Sequence, residues 1–269
     1  MLSTALQNTQ QLINTIRGLP APPDPAGQMQ AQVAQTGDQL IPALSSARDN
    51  LLAFTAGGVQ VIDALTSEAA AGGDPASAVK MLHELGAGFD QNSSQLAPLS
   101  GRLDQFRDRV AQDIGAMANE QVQLNSQLAG LSAERDRWSE QQDSLNQRST
   151  TTDILSIFFG PLAIAGSELA SAIQYGESTE AALNEANEHL AQVAAQAHAL
   201  QAAVDACNLL SSASGQLSSA VQNLANALSL IRADLTDDAV RAATATPVTL
   251  RLFLAALRSA MSVLQNGAG

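Results

Sequence analysis

Two stretches of this chain repeat apolar residues in alternating steps of three and four, and this pairing restricts the fold more than any other feature. The first runs through Leu103, Phe106, Val110, Ile114, Met117, Gln121, Leu124, Leu128, Leu131, Arg135, Trp138, Gln142 and Leu145. The second runs from Leu183 through Leu190, Leu200, Cys207, Leu217 and Leu228 to Leu235, with one slip near Cys207. Such spacing is a heptad seam, along which one helix meshes with another. At 1.5 Å per residue each arm is a helix on the order of 70 to 90 Å long.

The residue supply agrees. Of 269 residues only eight are aromatic (six Phe, one Trp, one Tyr), too few to fill a broad core. Alanine, leucine, glutamine and serine dominate, and period-2 runs of β-branched residues are missing. Small and unbranched side chains lose little freedom in a helix and let helices approach closely. The expected fold is all-α, an elongated bundle of long antiparallel helices.

Further helices are predicted around the arms. A short one over 3–18 ends at Gly18 and the proline-rich linker Pro20-Ala-Pro-Pro-Asp-Pro25. A second spans about 28–71, with Pro42 as a start or kink, and stops at Gly72-Gly73. Asp74-Pro75 then reads as cap and first residue of a third, weakened at Gly86, Gly88 and Pro98. The last, about Val248 to Gln265, follows Pro247 and has Arg251 and Arg258 as its only charges. It suits a helix closing a bundle, and the same composition suits a membrane interface.

Between the arms lies an apolar insert, ILSIFFGPLAIAGSELASAIQY over 154–175, with Glu168 its one charge. A membrane-spanning helix needs roughly 20 uninterrupted apolar residues. Gly160-Pro161 divides this one into halves of about ten, so it is no ordinary anchor. Ile154, Ile157, Phe158 and Phe159 before the break allow a strand, whereas Leu162 to Tyr175 reads as helix. On that helix Leu162, Ala165, Leu169, Ala172 and Ile173 share a face away from Glu168. Folding the arms antiparallel about Pro161 places Arg137 level with Glu188. The insert also suits a buried corner of the bundle, where Ile157, Phe158, Phe159, Leu162 and Ile164 would each contribute about 1.5 to 3 kcal/mol, although the tip of a long hairpin is where burial is hardest to arrange.

Charge and chemistry exclude several classes of function. A net charge of −13 with a single lysine, Lys80, disfavours nucleic acid, whose phosphates need Lys and Arg. One cysteine, Cys207, precludes an internal disulfide framework. The opening MLSTALQNTQQ lacks the charged and apolar regions of a secretory signal, so export is expected by another route. Glu185, Glu188 and His189 form the only local cluster of metal-ligand type, without the Glu-x-x-His spacing or second copy of a di-metal bundle site. No phosphate loop, serine elbow or zinc spacing is present, so no catalytic residue, metal or cofactor is expected.

The order of heptad arm (Leu103 to Leu145), apolar segment (Ile154 to Gly166) and second arm (Leu183 to Leu235) resembles the α-helical pore-forming toxins of the cytolysin A, haemolysin BL and non-haemolytic enterotoxin group. In architecture the resemblance covers roughly 28–265. It implies a helical tail (1–153 plus 176–269) and an inserted head (154–175), either β-tongue or helical hairpin. The membrane-inserting residues would be Ile154, Leu155, Ile157, Phe158, Phe159, Gly160, Pro161, Leu162, Ile164, Leu169, Ile173 and Tyr175. It implies a pore-forming cytolysin or one component of a multi-component toxin, secreted, soluble at first, then an oligomer in target-cell membrane lipid with sister components. The alternative is a helical adaptor or secretion-system protein that binds partner helices without entering lipid.

Overall fold

A computed structural model describes residues 1–147 and 179–269. Among these residues there are six α-helices and no strand: α1 (Leu2–Gly18), α2 (Ala26–Ala70), α3 (Pro75–Gln147), α4 (Thr179–Asp234), α5 (Asp237–Thr244) and α6 (Pro247–Ala268). The all-α expectation therefore holds, and the two heptad arms lie on α3 and α4.

The helix boundaries follow local chemistry. Gly72, at φ +79°, ends α2 in a left-handed conformation that favours glycine, and the Gly73 N–H donates to Glu68 O at 2.8 Å. Asp74 Oδ1 accepts from the Ala76 N–H at 3.0 Å and starts α3. Thr246 caps α6 in a reciprocal capping box with Thr249, with Pro247 in its first turn. The expected weak points in α3 do not break it: the helix continues through Gly86, Gly88 and Pro98, as α2 does through Pro42. A proline in a helix interior costs about 3 kcal/mol. Buried neighbours, Leu40, Ile41 and Leu44 around Pro42 and Leu96 and Leu99 around Pro98, offset that cost. Helix α5 was not expected. Its signals are the Thr236 cap, which accepts from the Ala239 N–H, and Asp237 and Asp238 in the first turn.

The chain forms two compact units. The first comprises Met1–Leu19, Gln28–Ile114 and Asp205–Gly269. Its core is a layered helical bundle filled by Ile13, Ile16, Leu44, Leu51, Leu82, Phe89, Leu103, Leu210, Leu217, Leu228 and Leu254. Helix α6 closes this unit, burying Leu250, Leu254, Leu257, Met261 and Leu264, while Arg258 pairs with Asp63 of α2 at 3.2 Å. It is also the one helix, among the described residues, long and apolar enough to cross a membrane. The second unit comprises Pro20–Gly27 and Gly115–Val204. Its described part holds Met117, Leu124, Ala186 and Leu200 buried, whereas Leu128, Leu131, Leu183, Leu190 and Val193 are only half-buried.

Candidate functional site

The residues expected to form the membrane-inserting head, Ile154 through Tyr175, lie outside the described residues, as do Glu168 and the break at Gly160-Pro161. The structure instead defines the register of the helices that flank this segment. In the first unit, Arg232 Nε donates to Asp90 Oδ2 at 2.9 Å, the Ser100 hydroxyl to Gln222 Oε1 at 2.8 Å, and the Ser218 hydroxyl to Asp104 Oδ1 at 2.8 Å. In the second unit Gln121 Nε2 donates to Gln201 Oε1. Each pair joins α3 to α4, and in all four the residue numbers add to 322. This is antiparallel pairing with one unslipped register, numerically symmetric about position 161.

That register corrects one expected pair. Arg137 falls opposite position 185, not 188, and both Arg137 and Glu188 are exposed with no ion pair between them among the described residues. The neighbouring Arg135 bonds to Asp136, its sequence neighbour, with Nη2 at 2.5 Å from Oδ1. Surface charges of this kind hold their geometry weakly.

The seam itself is legible residue by residue. On α4, Leu200, Val204, Cys207, Leu210, Ser214, Leu217, Val221, Leu224 and Leu228 are buried, as is Leu235 just past its end, and the slip falls at Cys207 as the spacing requires. On α3, Leu103, Phe106, Val110, Met117 and Leu124 are buried. Ile114 is only half-buried, and the preceding residue, Asp113, takes the interior position. Asp113 is paired with Arg109 through Oδ1 at 3.4 Å, while its Oδ2 has no hydrogen-bond partner. Burial raises the Asp113 carboxyl above the usual aspartate range, against the opposing attraction of Arg109. Burial, with the Asp113 charge adding to it, pushes the Cys207 thiol up to about 11.

Glu185 and His189, the cluster of metal-ligand type, are half-buried on α4. No group of three or more His, Cys, Asp or Glu side chains able to hold a metal forms among the described residues. A feature that heptad spacing alone did not reveal is a groove of about 1020 Å³ in the first unit, bordered by α1, α4 and α6. Its signal was present as a second periodic stripe on α4, composed of small and amide residues that an apolar pattern passes over.

No protein-family model matches the chain. No curated protein matches it significantly. Solved structures do match, over nearly its whole length. The soluble AhlC of the tripartite α-pore forming toxin AHL from Aeromonas hydrophila aligns with a TM-score of 0.68 and 21% identity, covering 100% of this chain and 97% of AhlC. The HblL1 toxin component of Bacillus cereus aligns with a TM-score of 0.55 and 14% identity, covering 98% of this chain and 94% of that one. Soluble SmhB of the tripartite toxin Smh from Serratia marcescens gives 0.52 and 16%, covering 99% and 88%. Long helices, antiparallel arms in one register and full-length coverage together give this chain the fold of the components of α-pore-forming toxins.

Proposed function

We propose that this chain is one component of a multi-component pore-forming toxin, and that 154–175 is the apolar head its soluble form releases into a target membrane. The likeness to AhlC over the full length of both chains carries this reading. It is supported by the place of the apolar segment, which joins two helices paired in a register symmetric about 161.

The chemistry of the head follows from its composition. Contact with lipid frees Ile154, Leu155, Ile157, Phe158 and Phe159, and the burial energy that favoured a closed soluble form then favours the bilayer. Glu168 would cost roughly 2.5 to 3.5 kcal/mol at the bilayer centre if it faced lipid. It therefore turns to water or to a neighbouring subunit, while Leu162, Leu169 and Ile173 face the other way. One short hairpin cannot satisfy its own backbone around a channel, so the pore wall requires an oligomer, of this chain or with sister components. The half-buried seam residues Leu128, Leu131, Leu183, Leu190 and Val193 offer apolar surface for such packing.

Liposome flotation and dye release test the proposal. Wild-type protein is expected to float with liposomes, and Phe158→Asp to remain folded by circular dichroism yet stay in the soluble fraction. Equal flotation of wild type and Phe158→Asp refutes the role of the head. No flotation of the wild type under any lipid composition refutes membrane entry by this chain.

A further inference from the structure

We propose that the outward face of α6 is a membrane contact of its own, which lays the folded first unit against the surface of a bilayer carrying anionic lipid headgroups. This goes beyond the head reading and stands whether or not 154–175 enters lipid.

Helix α6 is apolar on both sides. Its inner face, Leu250, Leu254, Leu257, Met261 and Leu264, is buried against the bundle. Its outer face carries Val248, Leu252, Ala255, Ala256, Ser259 and Val263 along one side of the helix, all exposed. Val248, Leu252 and Val263 are 66%, 69% and 64% exposed. A core helix of this hydropathy is mostly covered, yet only 28% of the most apolar 18-residue stretch of α6 is buried. From Val248 to Val263 the exposed stripe is roughly 22 Å long at 1.5 Å per residue. Arg251 and Arg258, seven residues apart, form a row along one edge of it. Aliphatic side chains facing outward beside a row of arginines are the arrangement of a helix lying on a bilayer, where the stems rest on apolar surface and the guanidinium groups reach the phosphates.

Local charge selects an anionic lipid surface. From Ala239 to Gly269 the chain has three arginines and no Asp or Glu, although it holds 26 acids before that point. Helix α1, whose Ser3 hydroxyl donates to Ala268 O at 3.3 Å, carries Arg17 and no acid. On α2, Asp38, Asp49 and Asp63 are paired with Arg17, Arg48 and Arg258, and Asp237 of α5 lies 3.3 Å from His83. Among the described residues of α2, α5 and α6, Glu68 and Asp238 stand without an ion pair, balanced by Arg241 and Arg251. No carboxylate therefore lies on the outward stripe itself, and Arg251 on its edge is free to meet a phosphate. The middle of the stripe, Ala255, Ala256 and Ser259, lacks the large central anchor on which protein interfaces depend. Burial in a fluid bilayer is non-directional and needs no such anchor.

Co-sedimentation of the full chain with sucrose-loaded vesicles tests the proposal, in the wild type and in Phe158→Asp, so that head and α6 are read separately. Neutral phosphatidylcholine vesicles report the head. Equal mixtures of phosphatidylcholine and phosphatidylglycerol at low salt are expected to bind both proteins through α6. Salt at about 1 M, where the Debye length is about 3 Å, should release Phe158→Asp. In that background Val248→Ser with Leu252→Ser should weaken binding at least tenfold, and Arg251→Gln about fivefold. Val122→Ser and Arg102→Gln, at exposed positions on α3, should leave it unchanged, and every variant should melt as its parent does. The same substitutions in the wild type, compared on anionic and neutral vesicles, give the answer independently of Phe158. No binding to anionic vesicles beyond that to neutral ones overturns the proposal, as does unaltered binding after loss of Val248 and Leu252. Equal weakening by Arg102→Gln and Arg251→Gln overturns it in favour of diffuse charge attraction. Self-association without lipid that Leu252→Ser abolishes would overturn it in favour of a second copy.

Discussion

Gln121 of α3 and Gln201 of α4 meet amide to amide, with Gln121 Nε2 donating to Gln201 Oε1. Gln121 occupies a position in the α3 seam where leucine or methionine stands above and below it. A polar pair in an apolar seam gives up some stability and disfavours a slipped register, because a slip breaks the bond between the two amides.

The single variant Gln121→Leu removes the amide donor from Gln201 Oε1 and is expected to cost about 0.5 to 1.5 kcal/mol in urea unfolding. The double variant with Gln201→Leu should recover most of that loss. A double-mutant cycle reads the coupling directly, and additive effects in it would mean that the two amides do not act together.

Three glycines separate close approach from flexibility. A Cβ at Gly88 would stand 2.8 Å from Phe54 Cδ2, and the Phe54 ring is held edge-on against buried Phe89 with centroids 5.0 Å apart. At Gly37 the obstacle is the buried Ile13 side chain, with Cγ1 at 2.9 Å. At Gly58 it is the thioether end of Met261, with Sδ at 3.3 Å, a flexible group that can turn aside. Gly88→Ala and Gly37→Ala are therefore expected to destabilise by about 1 to 3 kcal/mol. Gly58→Ala should cost less, since it gains helix propensity where the obstacle yields. Thermal melts of the three variants give the order directly.

These glycines also show where the sequence could be read and where it could not. Boundaries written in local chemistry, such as Gly72-Gly73, Asp74-Pro75 and Thr246-Pro247, were legible because the signal and its partners lie within a few residues. Gly86, Gly88 and Pro98 read locally as weak points, yet α3 runs through all three. Whether a glycine ends a helix or admits a neighbour depends on Phe54, 34 positions away from Gly88 in sequence, and no local pattern carries that contact. The heptad steps gave the arms and even the slip at Cys207. They put Ile114 in the seam, because an apolar pattern does not anticipate a buried carboxylate at Asp113. The groove was missed for the same reason: serine, glycine and asparagine at heptad spacing do not register as apolar.

Asp113 gives a pH dependence whose sign is fixed. Its folded pKa is raised above the unfolded value by burial, so the charged form is disfavoured in the native state. Near neutral pH this carboxylate costs stability. The cost disappears as pH falls through the raised folded pKa, and it is absent below the unfolded value near 3.8. Asp113→Asn is therefore expected to raise the melting temperature at pH 7, with an advantage that shrinks as the pH is lowered toward 4. Melts across that range check it, and an advantage that grows on acidification would contradict the assignment.

Cys207 reports on the same interior. Its thiol is buried in the seam and its pKa is pushed up to about 11, first by burial and then by the Asp113 charge. Only about one thiol in a thousand is then ionised at pH 8, and that fraction is shielded from reagent. Labelling by a soluble thiol reagent should be slow in the folded protein and rapid in urea, at a rate set by opening of the α3–α4 packing in the first unit. The same measurement distinguishes two ways of entering a membrane. If release is confined to the head, liposomes that bind the protein will leave the Cys207 labelling rate unchanged. If the first unit must open as well, Cys207 will become reactive at the lipid concentration that produces leakage. Head-only release predicts the first result, and a rate that rises with leakage would require the tail to rearrange too.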